Sequence, residues 1–394
     1  MGAGGADNPP FDEAVSALES EREQAAERED DTAEHDVDMG MTRRRVAIYA
    51  GVVLALVIGL YVGLPAALSG VSDTTDKLGE ADPVWLAVAL AFNVASFIAY
   101  IGLFRGVVGG QSDEGVVGPR LDWSASYQIT MAGLAATRLF AAAGAGGIAL
   151  TYWALRRAGM QRREAGCRMV AFLSLLYLVY VLSVVIFGVG LRVGILPGPQ
   201  PVGMTIVPAA LAAIAIVVFL LITLIPQDVE RRLAEWSRGY RRRALLLRRV
   251  ASGPALVARG SRITLDIVRH PSQGALAIAG AIGFWAANIC VLWACFHAFG
   301  EAVPKAVLVQ GFFVGMTANL LPFFPGGVGS VDAGMIGAFL AFGEPTSSVV
   351  VAVLTYRVIA FWLPIPPGIV AYLQLRRTVS RWREEGLPSP VGGV

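Results

Sequence analysis

Residues 319–332 read NLLPFFPGGVGSVD, and they lie inside a long apolar stretch, Ala306 to Leu340. Pro322 and Pro325 cannot donate the backbone hydrogen bonds a helix needs, so they end one helix. Gly326, Gly327 and Gly329 then permit a turn, and Asp332 stands one turn into the helix that restarts. At membrane depth such a break strands N–H and C=O groups, which is tolerated only where protein buries them or a wet cavity reaches them. The stretch therefore predicts two short helices joined by a turn, the second aiming its amide end and positive dipole at that turn. Anionic groups, phosphates among them, suit such an end.

The rest of the chain supplies the membrane. Of its 394 residues 55% are hydrophobic and 16% charged, against about 25% charged in a soluble domain. Five uninterrupted apolar runs could each cross a hydrocarbon layer of about 30 Å: Val46 to Leu68, Val84 to Phe104, Met169 to Leu191, Met204 to Ile225 and Gly274 to Phe299. A sixth, Ser347 to Leu375, contains Arg357 and then Pro364-Ile365-Pro366-Pro367, which must kink or break it. Two further stretches, Ala125 to Leu155 and Ala306 to Leu340, are apolar but split by glycines. The fold class expected is an all-α polytopic membrane protein of six full spans and two glycine-broken helix hairpins in inverted repeats.

Arginine placement assigns sides by the positive-inside rule. Arg43, Arg44 and Arg45 precede the first span and place the N-terminus in the cytoplasm. The loop from Ser69 to Asp82, with four acids and one lysine, is outside; Arg156, Arg157, Arg162, Arg163 and Arg168 are inside. The connector 226–273, with eleven arginines and four acids, is inside, as are Arg376, Arg377, Arg381 and Arg383. The first split stretch then starts and ends in the cytoplasm and the second starts and ends outside. Each crosses an even number of times, as two full helices or as a re-entrant pair, and the two enter from opposite faces. The expected location is the inner (plasma) membrane, with both termini cytoplasmic.

Residues 1–42 form an acidic tail. Met1 to Met39 holds thirteen acids against Arg22 and Arg28, with Phe11 its sole aromatic, a composition that cannot bury enough surface to order itself. No basic segment followed by an apolar one precedes the first span, so no cleaved signal is expected. The transmembrane domain is drawn at 43–377, with repeat one at about 121–191 and repeat two at about 304–375, and a short tail at 378–394. An offset of 182 places Gly133 on Gly315, Ala136 on Ala318, Leu139 on Leu321, Gly144 on Gly326 and Gly147 on Gly329. Such repeats place the substrate path near the midplane, between discontinuous helices.

The string LLPFFPGGVGSVDAG, followed by VLTYRVIAFWLPIPPGIVAYL (Val353 to Leu373), resembles the C-terminal signature of the lysylphosphatidylglycerol synthase transmembrane family, or flippase-like integral membrane proteins. The family includes the flippase part of bacterial multiple peptide resistance factors. The likeness spans roughly Val46 to Arg377. Onto this chain it carries Pro325, Gly326, Gly327, Gly329, Asp332 (aspartate where glutamate is usual) and Arg357, and it implies translocation of a lipid. With only Thr378 to Val394 following Arg377, no counterpart of the family's soluble aminoacyl-transferase domain is expected, and no enzyme activity.

A charge in mid-span costs about 2.5–3.5 kcal/mol on insertion scales and faces protein or water. Arg357 needs a partner and Asp332 is the nearest candidate; the pair either contacts a lipid phosphate or braces the break. Arg138, the charge of the first split stretch, either receives an anionic head or snorkels to the interface. With Asn319, these complete the expected substrate-binding set: Arg138, Asn319, Pro325, Gly326, Gly327, Gly329, Asp332 and Arg357. Asn93, Asn288, Gln128, Gln310 and Thr317, and Asn319 when it binds no ligand, are expected to bond between helices, His297 to pack at the outer interface, and Glu344 to cap the restarted helix or sit at that interface.

The Arg231–Arg249 region, with Val229, Leu233, Trp236, Tyr240, Leu247 and Val250 at helical spacing, reads as an amphipathic helix on anionic lipid. Membrane lipids are thus the expected partners, with a separate cell-envelope synthase or glycosyltransferase beside them, and nucleic acid is not. The three cysteines show no metal-ligand spacing, and no GxxxxGK[ST], HExxH or GxSxG occurs, so no cofactor or metal is expected. The leading function is flipping of a phospholipid or lipid-linked anionic head group. Two alternatives are a membrane transferase acting on a lipid phosphate and a non-transporting scaffold for envelope enzymes.

Overall fold

A computed structural model describes residues 81–109, 121–139, 145–224, 256–320 and 327–384. Every regular element among the described residues is a helix, without strands, and they belong to one compact unit, Gly59–Val394. In chain order they form α1 (Pro83–Val108), α2 (Trp123–Leu139), α3 (Ala145–Arg157), α4 (Arg162–Arg192), α5 (Ile206–Thr223), α6 (256–269), α7 (Ala275–Ala298), α8 (Lys305–Met316), α9 (Ser330–Ala341), α10 (Thr346–Arg357) and α11 (Ile365–Glu384). A 3₁₀ turn, Thr317–Leu320, extends α8, and a π turn, Val358–Trp362, joins α10 towards α11. The acidic tail, the first apolar run and the amphipathic part of the connector, Val229 to Val250, lie outside the described residues.

Five segments are long and apolar enough to cross a membrane: α1, α4, α5, α7, and α10 with α11 read as one. The chain is a multi-pass membrane protein. The split stretches are two hairpins, α2 with α3 and α8 with α9. At 12 residues each, α8 and α9 are about 18 Å long at 1.5 Å per residue, well short of a ~30 Å core. Neither arm of this hairpin is among the five segments long and apolar enough to cross a membrane. α11 runs on past Arg377 to Glu384, so the boundary drawn at 377 falls within a helix.

The packing follows the inverted repeat. The spans that precede the hairpins, α1 and α7, lie against each other along their length, while each hairpin's first arm crosses to the other repeat: α2 packs on α11 and α8 on α4. α1 and α7 run antiparallel. At one end the Asp82 N–H donates to Ala298 O at 2.9 Å; towards the other, a Cβ on Gly106 would stand 2.5 Å from Ala277 N. Glycine and alanine here let two backbones approach closely where lipid supplies no hydrophobic drive for helix association.

The offset of 182 holds for the first arm of each hairpin and slips in the second. A Cβ on Gly147 would fall within 2.4 Å of Gly133 O, and one on Gly315 within 2.5 Å of Met335 Cα, beside Gly334. The contact Gly133·Gly147 therefore has its counterpart in Gly315·Gly334, not in Gly315·Gly329, because hairpin two carries a longer turn.

At the end bearing Arg156 and Arg157, arginines dock onto main-chain carbonyls. Arg168 Nη1 donates to Val107 O at 2.7 Å, at the C-terminus of α1, and Arg262 Nε to Thr223 O at 3.1 Å, at the C-terminus of α5. These cations satisfy carbonyls that the helix ends leave open and complement the negative dipole ends. At the opposite end His297 packs against both Trp85 and Trp293, with ring centroids 4.8 and 4.5 Å away, the packed histidine expected there.

Candidate functional site

Hairpin two turns where Gly327 and Gly329 adopt φ of +68° and +82°, left-handed conformations that cost a side-chain-bearing residue about 1–2 kcal/mol each. A Cβ on Gly327 would also lie 2.6 Å from Asn319 Oδ1. α9 starts at Ser330, and the Asp332 carboxylate reaches back to accept from the Gly329 N–H at 2.8 Å. The anion-seeking end of α9 is thus occupied by the chain's own carboxylate, and Glu344 lies beyond the far end of that helix.

Asp332 is fully buried and Arg357 is 5% exposed. Arg357 Nε stands 2.8 Å from Asp332 Oδ1, an ionic contact without the alignment of a linear hydrogen bond. A second guanidinium nitrogen donates to Gly327 O at 3.3 Å. One ion pair thereby fastens both the turn and the start of α9 to α10.

The helix that carries Arg357 breaks immediately afterwards. Pro364 has no N–H to offer Ala360 O, its partner four residues back in a regular helix. The Leu363 N–H steps to Val358 O instead, at 2.9 Å, the i−5 pattern of a π turn, and leaves Ile359 O without its usual donor. Inside a membrane those carbonyls need partners. The Asn93 amide on α1 donates to Ile359 O at 2.9 Å, and Arg138, in the last turn of α2, donates to Ala360 O at 2.9 Å and Phe361 O at 2.7 Å. Three consecutive carbonyls are held by two side chains, one on α1 and one on α2.

Phe361 lies between the two cations. Its ring centroid is 4.3 Å from Arg357 Cζ and 5.2 Å from Arg138 Cζ, within cation–π reach. Among the described residues no acidic side chain pairs with Arg138, so two guanidiniums and one carboxylate leave a single uncompensated positive charge beside the broken helices. An aromatic face and carbonyl dipoles hold that charge, and an anion would complement it.

Of the expected set, Gly327, Gly329, Asp332 and Arg357 form one cluster, with Asn319 exposed against Gly327. Arg138 joins them through Phe361. Pro325 and Gly326 lie outside the described residues. Of the polar side chains expected to bond between helices, Asn93 does so, Gln310 reaches from α8 to Met204 O at 2.9 Å, and Asn288 accepts from the Tyr356 hydroxyl of α10 at 3.4 Å; Gln128 and Thr317 bond within their own helices. The sequence reading missed Phe361 and the particular carbonyl that Asn93 serves; Pro364 signalled only that Ala360 O would lose its donor.

The model of one protein family, described as the lysylphosphatidylglycerol synthase TM region, matches residues 48–368. Among curated proteins, three from Methanothermobacter thermautotrophicus (strain Delta H), each called a UPF0104 membrane protein, are similar over shorter stretches. The identities are 31% over 91 residues (23% of this chain), 29% over 96 (24%) and 29% over 86 (22%). These matches cover 26%, 28% and 26% of the relatives' own lengths.

Proposed function

We propose, for a chain that belongs to the lysylphosphatidylglycerol synthase transmembrane family, that it translocates a phospholipid or a lipid-linked anionic head group across the membrane. The observation that carries the reading is the uncompensated cation at Arg138, set against Phe361 where both hairpins meet the proline-broken helix. A lone anion in hydrocarbon meets a desolvation barrier of many kcal/mol. A fixed cation with an aromatic wall at mid-depth lowers that barrier for a head group while its tails stay in lipid. Arg138 would make the first contact, since Arg357 is engaged by Asp332 and Gly327; Gly327 and Gly329 would keep the turn narrow enough for a head group to pass. Basic side chains at the Arg156 end, together with the Arg231–Arg249 region, would gather anionic lipid on the inner leaflet of a plasma membrane. A separate envelope synthase or glycosyltransferase would supply or consume the lipid.

The test is reconstitution. In proteoliposomes containing fluorescent phospholipids, a membrane-impermeant reductant should quench the inner-leaflet fraction of an anionic probe faster with the protein than without it, and Arg138→Gln should remove the difference. Equal quenching with and without the wild-type protein, for anionic and zwitterionic probes alike, would sink the proposal.

A further inference from the structure

The two hairpins are fastened to the broken helix by different acceptors. Hairpin two is tied through Arg357 to a carboxylate, and hairpin one is tied through Arg138 to the neutral carbonyls of Ala360 and Phe361. A guanidinium bonds an ionised oxygen roughly twice as strongly as a neutral one. An incoming phosphate oxygen therefore outcompetes Ala360 O and Phe361 O for Arg138. Against Asp332 it gains nothing, because it would replace one anion with another and leave a buried carboxylate alone.

We infer that Arg138 is an exchangeable latch: an anionic ligand takes its guanidinium from the Ala360 and Phe361 carbonyls and so releases hairpin one, while the Asp332–Arg357 pair keeps hairpin two fastened. This rests on the reading that the site takes a phosphate-bearing group. The released carbonyls cannot stay dry, because Pro364 withholds the donor Ala360 O would otherwise have. Water must follow, along the face that α2 vacates. Asn93 stays on Ile359 O throughout and keeps the π turn from unwinding. The ligand's preference for the released state is the difference between bonding Arg138 there and finding it occupied, which is what a ligand needs to shift a conformational equilibrium. By the arginine count hairpin one enters from the cytoplasmic face, so binding would open the site inwards.

Hydrogen–deuterium exchange of the full chain in nanodiscs decides it, comparing phosphatidylcholine discs with discs that also contain phosphatidylglycerol. Phosphatidylglycerol should speed exchange over residues 134–139 and 358–363 on the order of tenfold, the factor that one charge-assisted hydrogen bond carries, and leave 331–336 unchanged. Arg138→Gln should exchange fast in both discs and ignore the lipid. Arg138→Lys, which keeps the charge but cannot fork onto two carbonyls, should fall between. A third arm adds glycerol phosphate to phosphatidylcholine discs; the same acceleration there would make a soluble phosphoanion, not a lipid, the ligand the latch senses. Native mass spectrometry reports which lipid stays bound. Phosphatidylglycerol retained over phosphatidylcholine with unchanged or slower exchange at 134–139 overturns the latch and leaves the site reading standing. No preferential retention overturns both.

Discussion

Hairpin one and hairpin two share a backbone plan but not a chemistry. In each, glycines bring the two arms into contact, Gly133 with Gly147 and Gly315 with Gly334, and in each the first arm packs on the other repeat. The fastening differs. Hairpin two closes on a fully buried ion pair whose carboxylate also caps α9; hairpin one closes on an unpaired guanidinium bonded to carbonyls. Separating a buried pair leaves two charges in an apolar medium, at a cost of several kcal/mol per ion. Separating Arg138 from two carbonyls strands two neutral groups at about 1–3 kcal/mol each, less where water enters, and its own charge is compensated only where an anion or water takes the guanidinium. The two hairpins share a packing plan, and on the latch proposal the contacts of α2 with α11 would have to loosen once Arg138 lets go, while hairpin two stays fastened.

The largest effect is expected from breaking the bolted half. Arg357→Ala leaves Asp332 buried without its partner and should lower stability by roughly 3–5 kcal/mol, offset in part if Asp332 takes up a proton. Asp332→Asn keeps an acceptor for the Gly329 N–H but strands Arg357. The pair Asp332→Asn with Arg357→Gln should recover most of the thermal stability in detergent, because neither charge is then left alone. If that double variant also transports at the wild-type rate, Arg357 is a brace and Arg138 alone serves the head group. A stable but inactive double variant returns Arg357 to the ligand site.

The same contrast explains what the sequence could and could not reveal. Hairpin two was legible because two prolines, three glycines and an acid lie within fourteen residues of an apolar run, and Asp332 could be matched with Arg357 from their shared depth. Hairpin one was legible only through arithmetic: a span that begins and ends beside arginines must turn back. The slip of the offset in the second arm was hidden, since Gly329 and Gly334 are both glycines and only the packing tells which one faces Gly315. The destination of Arg138 was hidden more deeply, for its acceptors are backbone atoms 222 and 223 residues away. Any residue type at 360 or 361 presents the same carbonyl. What marks those acceptors in sequence is the proline that follows them.

That proline gives an intermediate prediction. Pro364→Ala restores an N–H that can serve Ala360 O, so α10 could continue as regular helix and depend less on Arg138. Arg138→Gln alone should lose about 1.5–3 kcal/mol, the range for a hydrogen bond to a charged group. Combined with Pro364→Ala the loss should shrink, with a coupling of about 0.5–3 kcal/mol in a double-mutant cycle followed by thermal unfolding. Additive losses would mean that the proline does not create the need Arg138 meets, and the contrast between the two fastenings would lose its cause.

The smallest effect concerns the bases of the hairpins, which differ in charge as their tips differ in bonding. At the base of hairpin one, Arg156 Nη1 donates to Met160 O at 3.0 Å. At the base of hairpin two, Glu301 accepts from Ser348 at 2.6 Å, and half-buried Glu344 has its carboxyl pushed above the ordinary value by burial first and by the Glu301 charge second. A raised carboxyl favours the protonated form in the folded protein. Its contribution is therefore fully present below the ordinary carboxylate value and is lost as pH climbs through the raised one. Glu344→Gln removes the charge that neutral pH imposes, so the variant should melt slightly higher than wild type at pH 7. The gain should be about 0.5 kcal/mol or less, since water screens a group this exposed. Below the carboxylate range both proteins carry a neutral side chain there and the gain should vanish. Melting curves taken across that range settle it: a difference that does not change with pH would show that Glu344 and Glu301 do not feel each other, and that the base of hairpin two carries its acids without strain.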